Sequence, residues 1–114
     1  MTFHFAANLP ASRAFLDPLR EILRQAFAYV GYPAIEASEM AGAIELEVSA
    51  GMPAQAGRGQ LHVRIERDPR SFHVDVTAPH LSLTPPPVGL MDRVSVHPEP
   101  GGTRHRYTRH LPGL

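Results

Sequence analysis

The sequence predicts an α+β two-layer sandwich, a mostly antiparallel sheet covered on one face by two helices, and three observations point to it. Residues 60 to 78 alternate apolar and polar side chains on both sides of Asp68-Pro69-Arg70, the period of two that marks strands joined by a turn. Residues 17 to 30 repeat apolar side chains at three and four, the helical period. The helical signals precede most of the strand signals, and such segregation favours helices stacked on a sheet over alternating βαβ units.

The hairpin organises the rest. Leu61, Val63 and Ile65 alternate with His62, Arg64 and Glu66, and Phe72, Val74 and Val76 alternate with His73, Asp75 and Thr77. A turn centred on Asp68 and Pro69 sets Ile65 opposite Phe72, Val63 opposite Val74 and Leu61 opposite Val76. On the polar side it sets Arg64 beside His73 and His62 beside Asp75. A slip of one residue would bury the charges, so the pattern restricts the register.

Upstream, Phe3 and Phe5 alternate with Thr2 and His4, a strand signal over Thr2 to Ala6 that Asn8, Pro10 and Ser12 are expected to end. The first helix is expected from Asp17 as cap and Pro18 at the first helical position, with Leu19, Ile22, Leu23, Ala26, Phe27 and Val30 as its apolar stripe and Gly31 as its stop. Pro33 opens a second helix with Ala37, Ala41, Ile44 and Val48 on one face. Gly51 and Pro53 end it before the loop of residues 54 to 59.

Downstream, Pro85-Pro86-Pro87 predicts a stiff, extended surface connection over residues 80 to 88, because proline cannot donate to a sheet ladder. Val94 and Val96 signal a short strand, and residues 98 to 102 a turn. Residues 103 to 111 return as a strand with Thr103, His105 and Tyr107 on one face and Arg104, Arg106 and Thr108 on the other. A ferredoxin-like arrangement is the rival topology, but it needs a helix where only residues 89 to 93 are free.

At 114 residues the chain reads as a single domain, 1–114, able to bury a core without staples. Cysteine is absent, which excludes disulfides, a thiol nucleophile and thiolate zinc sites. Eleven basic residues, all arginine, balance eleven acidic ones, so the electrostatic footprint of a nucleic-acid binder is missing. No stretch reads as a membrane span or a leader, and a cytoplasmic location is expected.

Three stretches together resemble a known family: NLPASRAFLDPLREIL near the start, the glutamate-containing second helix, and GLMDRVSVHPEPGGTRHRYTRHL at the end. With the strand and helix order they resemble the anti-sigma-factor serine kinases, small members of the GHKL superfamily of histidine-kinase-like (Bergerat) ATPases. The resemblance implies that the second helix supplies a glutamate base and, four residues later, an asparagine for magnesium. Here those positions fall on Glu47 and Gly51, or on Glu45 and Ser49 in an alternative register. Glycine offers no side-chain oxygen, and Asn8 is the only asparagine in the chain. The family's adenine-binding aspartate falls at Ala78, with His80 following. Gly89 and Thr103 take the places of the later glycine motif and the opening of the last strand, and residues 78 to 103 imply a truncated lid.

These departures predict a scaffold without its cofactors, ATP and magnesium. The resemblance then implies a non-catalytic, regulatory protein-binding module, homodimeric, whose partner is a sigma factor or its antagonist. The alternative is an active ATP-dependent serine kinase with altered ligands and Glu47 as base.

Two further constellations stand apart from the resemblance. His4, His62, His73 and His110 are expected on the outer sheet face, where zinc is the sharp alternative to a plain solvated surface; His105 is expected inside, hydrogen-bonded. Arg64, Arg104 and Arg106 share that outer face. Residues 33 to 57 carry Glu36, Glu39, Glu45 and Glu47 with no basic residue, an asymmetry suited to docking a second molecule. The 57–59 loop (Gly57-Arg58-Gly59) reads as a turn, and Ser71, Ser82 and Ser95 lack a base and an orienter for nucleophilic chemistry.

Overall fold

The computed structural model describes residues 3–52, 59–87 and 89–112. The elements are β1 (Phe3–Pro10), a 3-10 turn (Arg13–Phe15), α1 (Leu16–Tyr29), α2 (Ala34–Ser49), β2 (Gln60–Arg67), β3 (Ser71–Ala78), β4 (Arg93–Glu99) and β5 (Gly102–His110). All five strands form one antiparallel sheet in the order β1-β2-β3-β5-β4. Both helices lie on one face, as the α+β expectation requires. No helix intervenes between β3 and β4 among the described residues, which removes the ferredoxin-like rival. The loop of residues 54 to 59 lies outside the described residues except for Gly59.

The core lies between the helices and the inner sheet face. Leu19, Leu23 and Phe27 of α1 and Ala37, Met40, Ala41, Ile44 and Val48 of α2 pack onto Leu61, Val63 and Ile65 of β2 and Phe72, Val74 and Val76 of β3, all essentially inaccessible. Each large aliphatic or aromatic side chain so buried contributes on the order of 2 kcal/mol. Phe27 sits at the centre, its ring 4.9 Å from that of Phe72 and 5.7 Å, edge-on, from Tyr32.

The hairpin keeps the expected faces but not the expected register. Ile65 pairs with Val74, Val63 with Val76, Arg64 with Asp75 and His62 with Thr77. The turn centres on Pro69 and Arg70. Proline's fixed φ suits the second residue of a four-residue turn and is disfavoured at the third, where the expected register placed it. Asp68 locks the turn from its first position: its backbone N–H donates to Ser71 O, and its Oδ1 accepts from the N–H groups of Arg70 and Ser71 at 2.8 and 2.7 Å.

Two other boundaries move. β1 runs on to Pro10, because a strand at the sheet edge tolerates a proline at its end, and Asn8 accepts a hydrogen bond from His62 Nδ1 on the neighbouring strand. The first helix begins at Leu16 with Phe15 at the cap position, two residues before the expected start at Pro18 with Asp17 as cap. Ser12 caps the preceding 3-10 turn, and Pro18 falls within the first helical turn, where its missing N–H costs no helical bond and produces no break. Pro85, Pro86 and Pro87 belong to no helix or strand, and Pro86 is buried where a surface connection was expected.

Candidate functional site

Two regions carry the residues singled out by sequence: the end of α2 with its facing loop, and the open face of the sheet. At the first, Glu47 is half-buried and shares a groove with Gly89, bounded also by Ile44, Leu46, Leu90 and Tyr107. Glu45 points elsewhere, toward α1, with Arg20 Nε 3.4 Å from its carboxylate. Ser49 Oγ donates to Leu46 O at 2.9 Å. The first register is therefore the one that aims a glutamate at the loop.

The remaining positions separate from that groove. Ala78 and Thr103 are direct register partners on β3 and β5, 1% and 6% exposed. Gly51 follows α2, and a side chain there would meet the His80 carbonyl at 3.8 Å. Gly51, Ala78 and Thr103 do not line the Glu47 groove. Between α2 and the end of β3 the space is packed: Met52 and Leu81 are buried, and His80 Nε2 donates to the Val48 carbonyl at 2.6 Å. The groove itself holds about 170 Å³, below the roughly 300 Å³ at which small-molecule sites begin. Burial pushes the Tyr107 phenol well above its ordinary value, and the nearby Glu47 adds to the effect.

The open face is a grid set by the register. One row across the sheet reads Ala6, Arg64, Asp75, Arg106, Ser95; the row on one side reads Asn8, His62, Thr77, Arg104, His97; the row on the other reads His4, Glu66, His73, Thr108, Arg93. Arg106 Nη1 donates to Asp75 Oδ2 at 3.0 Å, Arg104 lies 3.0 Å from Glu99, and Arg64 leans toward Glu66 at 3.7 Å. Desolvation raises the Asp75 carboxyl above its ordinary value, opposed first by Arg106 and then by Arg104 and Arg64. The three arginines expected to face a partner are thus partly committed within the chain.

His62, His73 and His110 on this face also have local partners. His73 bridges Thr108 Oγ1 and Asp68 Oδ2, each at 3.0 Å, and His110 Nδ1 lies 3.8 Å from Asp92. Among the described residues no three His, Asp or Glu side chains converge on a metal position. His105 is buried, donates through Nε2 to Ser82 O at 2.7 Å, and stacks edge-on against Tyr107, as expected of a core histidine. On α2, Glu36 is engaged by Arg109 and Glu45 by Arg20, which consumes half of the acidic set. Residues 57 and 58 of the glycine-arginine loop lie outside the described residues.

No helix in the described residues is long and apolar enough to cross a membrane. The sequence matches no family model and no curated protein sequence.

Proposed function

We propose that the chain is a cytoplasmic, non-catalytic, regulatory protein-binding module on a scaffold related to the anti-sigma serine kinases, acting as a homodimer that docks a sigma factor or its antagonist. The observation that carries this is the packed space at the end of α2. Met52, Leu81 and the His80–Val48 hydrogen bond occupy the region next to Gly51 and Ala78, where the resemblance would lodge magnesium and adenine. The element order supports the scaffold, and the small groove at Glu47 leaves little room for a triphosphate nucleotide.

A thermal-shift titration with ATP and magnesium tests the proposal, since a ligand that binds only the folded state raises the melting temperature by mass action. No shift is expected with ATP, magnesium or both. Stabilisation that requires the two together would overturn it. That outcome would favour the second reading, a serine kinase with Glu47 as base, whose support is the shared groove of Glu47 and Gly89; Glu47→Gln would then abolish phosphate transfer.

A further inference from the structure

The open face of the sheet holds a second region that the docking role does not use. A cavity of about 430 Å³ opens between β1, β2, β3 and β5, with Asp75 and Thr77 at its floor and Asn8, His62, Arg64 and Arg104 around it. Its volume lies within the roughly 300–1,000 Å³ of small-molecule sites. Outward residues of a single-layer sheet are ordinarily wet, yet Asp75 is 3% exposed. One of its oxygens is held by Arg106. The other, Oδ1, is buried and has no hydrogen-bond partner among the described residues.

A buried donor lies on the same cavity. Arg104 Nε is paired by charge with Glu99 Oε1 at 3.0 Å but is out of line for a hydrogen bond, so it makes none among the described residues. Arg64 stands at the rim, more than half exposed, with Glu66 its nearest acid at 3.7 Å. The lining therefore offers one deep acceptor, one deep donor beside Glu99 and one exposed cation that leans on Glu66. Its formal charges cancel: Arg64 and Arg104 against Asp75 and Glu99. A simple anion would meet the two carboxylates, and a simple cation the two guanidinium groups. A neutral molecule without charges would leave both buried groups poorly matched. A small zwitterion satisfies all of them.

We infer that this cavity binds a free α-amino acid, its ammonium group donating to Asp75 Oδ1 and its carboxylate held by Arg104 Nε and the Arg64 guanidinium. Guanidinium–carboxylate and ammonium–carboxylate bonds are the strong, charge-assisted kind, and on an otherwise balanced surface they select for both ends of the ligand at once. The site lies on the sheet face opposite α2, so its occupancy does not depend on the fate of the nucleotide positions.

The test is a heteronuclear NMR titration of the intact chain with each common amino acid in millimolar excess, following the backbone amides of Thr77 and Arg104. At least one amino acid is expected to give saturable shifts at both, with acetate and methylammonium weaker by roughly tenfold or more, because each supplies only one end. Arg64→Ala, at an exposed position that leaves the core untouched, is expected to weaken binding by a similar factor. Three outcomes would overturn the inference: no saturable shift with any amino acid, acetate binding as well as the best of them, or Arg64→Ala binding as tightly as the parent chain.

Discussion

Gly102 and Ala78 meet backbone to backbone: a β-carbon on Gly102 would lie 2.4 Å from the Ala78 carbonyl oxygen and 2.8 Å from Pro79 Cα. Gly102 also holds φ near +143°, a conformation L side chains rarely adopt. The contact brings β5 against the end of β3, so the pairing of Thr103 with Ala78 begins beside it. Gly102→Ala is expected to cost about 3 kcal/mol, because neither the carbonyl nor the proline ring carbon is a flexible side-chain end that can yield. The neighbouring Gly101→Ala, with open space around it, is expected to be near neutral. Urea denaturation of both variants decides: equal midpoints would mean that the close approach is not rigid.

The turn at Asp68 predicts a pH dependence. A side-chain hydrogen bond from His73 and then backbone donors from Arg70 and Ser71 hold the Asp68 carboxyl down at about 2, against an ordinary 3.8. The folded form is therefore the weaker proton binder, and the stability it supplies is complete above pH 3.8 and lost as pH falls toward 2. Asp68→Ala removes the same bonds at every pH and is expected to cost about 1 kcal/mol at neutral pH. The gap between the parent and the variant should close in acid. Thermal melts across that range check it, and a gap that stays constant down to pH 2 would show that the carboxylate form has no advantage.

Much of the layer structure was legible because burial follows alternation. Leu61, Val63 and Ile65 point inward under either hairpin register, since a shift of two residues leaves every face unchanged. That same degeneracy hid the register itself, and only the rule that proline prefers the second turn position resolves it in favour of Pro69-Arg70. Ala7 and Leu9 continue the inward alternation of β1, but Asn8 and Pro10 between and after them masked it. The packed end of α2 was half visible in Met52 and Leu81. The His80–Val48 bond was not, because a backbone carbonyl acceptor leaves no trace in residue identity. Asp75 reads as an ordinary outward residue until the register puts Arg64 and Arg106 on either side of it.

Arg109 of β5 ties together α2, the loop that carries Leu90 and the ring of Tyr32. From the inner side of β5 its guanidinium donates to Glu36 of α2 and to the Leu90 carbonyl at 3.0 Å, and lies 5.1 Å from the centre of the Tyr32 ring. Charge-assisted bonds and a cation over an aromatic face are each worth on the order of 1 kcal/mol or more when partly desolvated. Arg109→Ala should lower stability by about 2 kcal/mol, and Arg109→Lys should recover only a fraction, because an ammonium group lacks the planar fork that reaches Glu36 and Leu90 together. A lysine variant as stable as the parent in chemical denaturation would mean that charge alone accounts for the site.

The two sheet edges differ in a way that bears on self-association. β4 carries Arg93, Pro98 and Glu99, the charges and proline with which exposed edges resist pairing. β1 carries no acidic or arginine side chain over its eight residues, and its free edge lies beside an apolar groove formed with Phe5, Ile22, Ala26 and Ile65. Identical strands paired antiparallel across a two-fold axis satisfy each other's backbone groups, so β1 is the edge through which the proposed homodimer would form. Phe5 is 39% exposed, and Phe5→Lys places a charge at that joint without removing a fully buried side chain. Sedimentation velocity should find the parent chain dimeric and the variant monomeric at the same concentration. A parent that sediments as a monomer, or a variant that stays dimeric, would rule out the β1 edge as the contact.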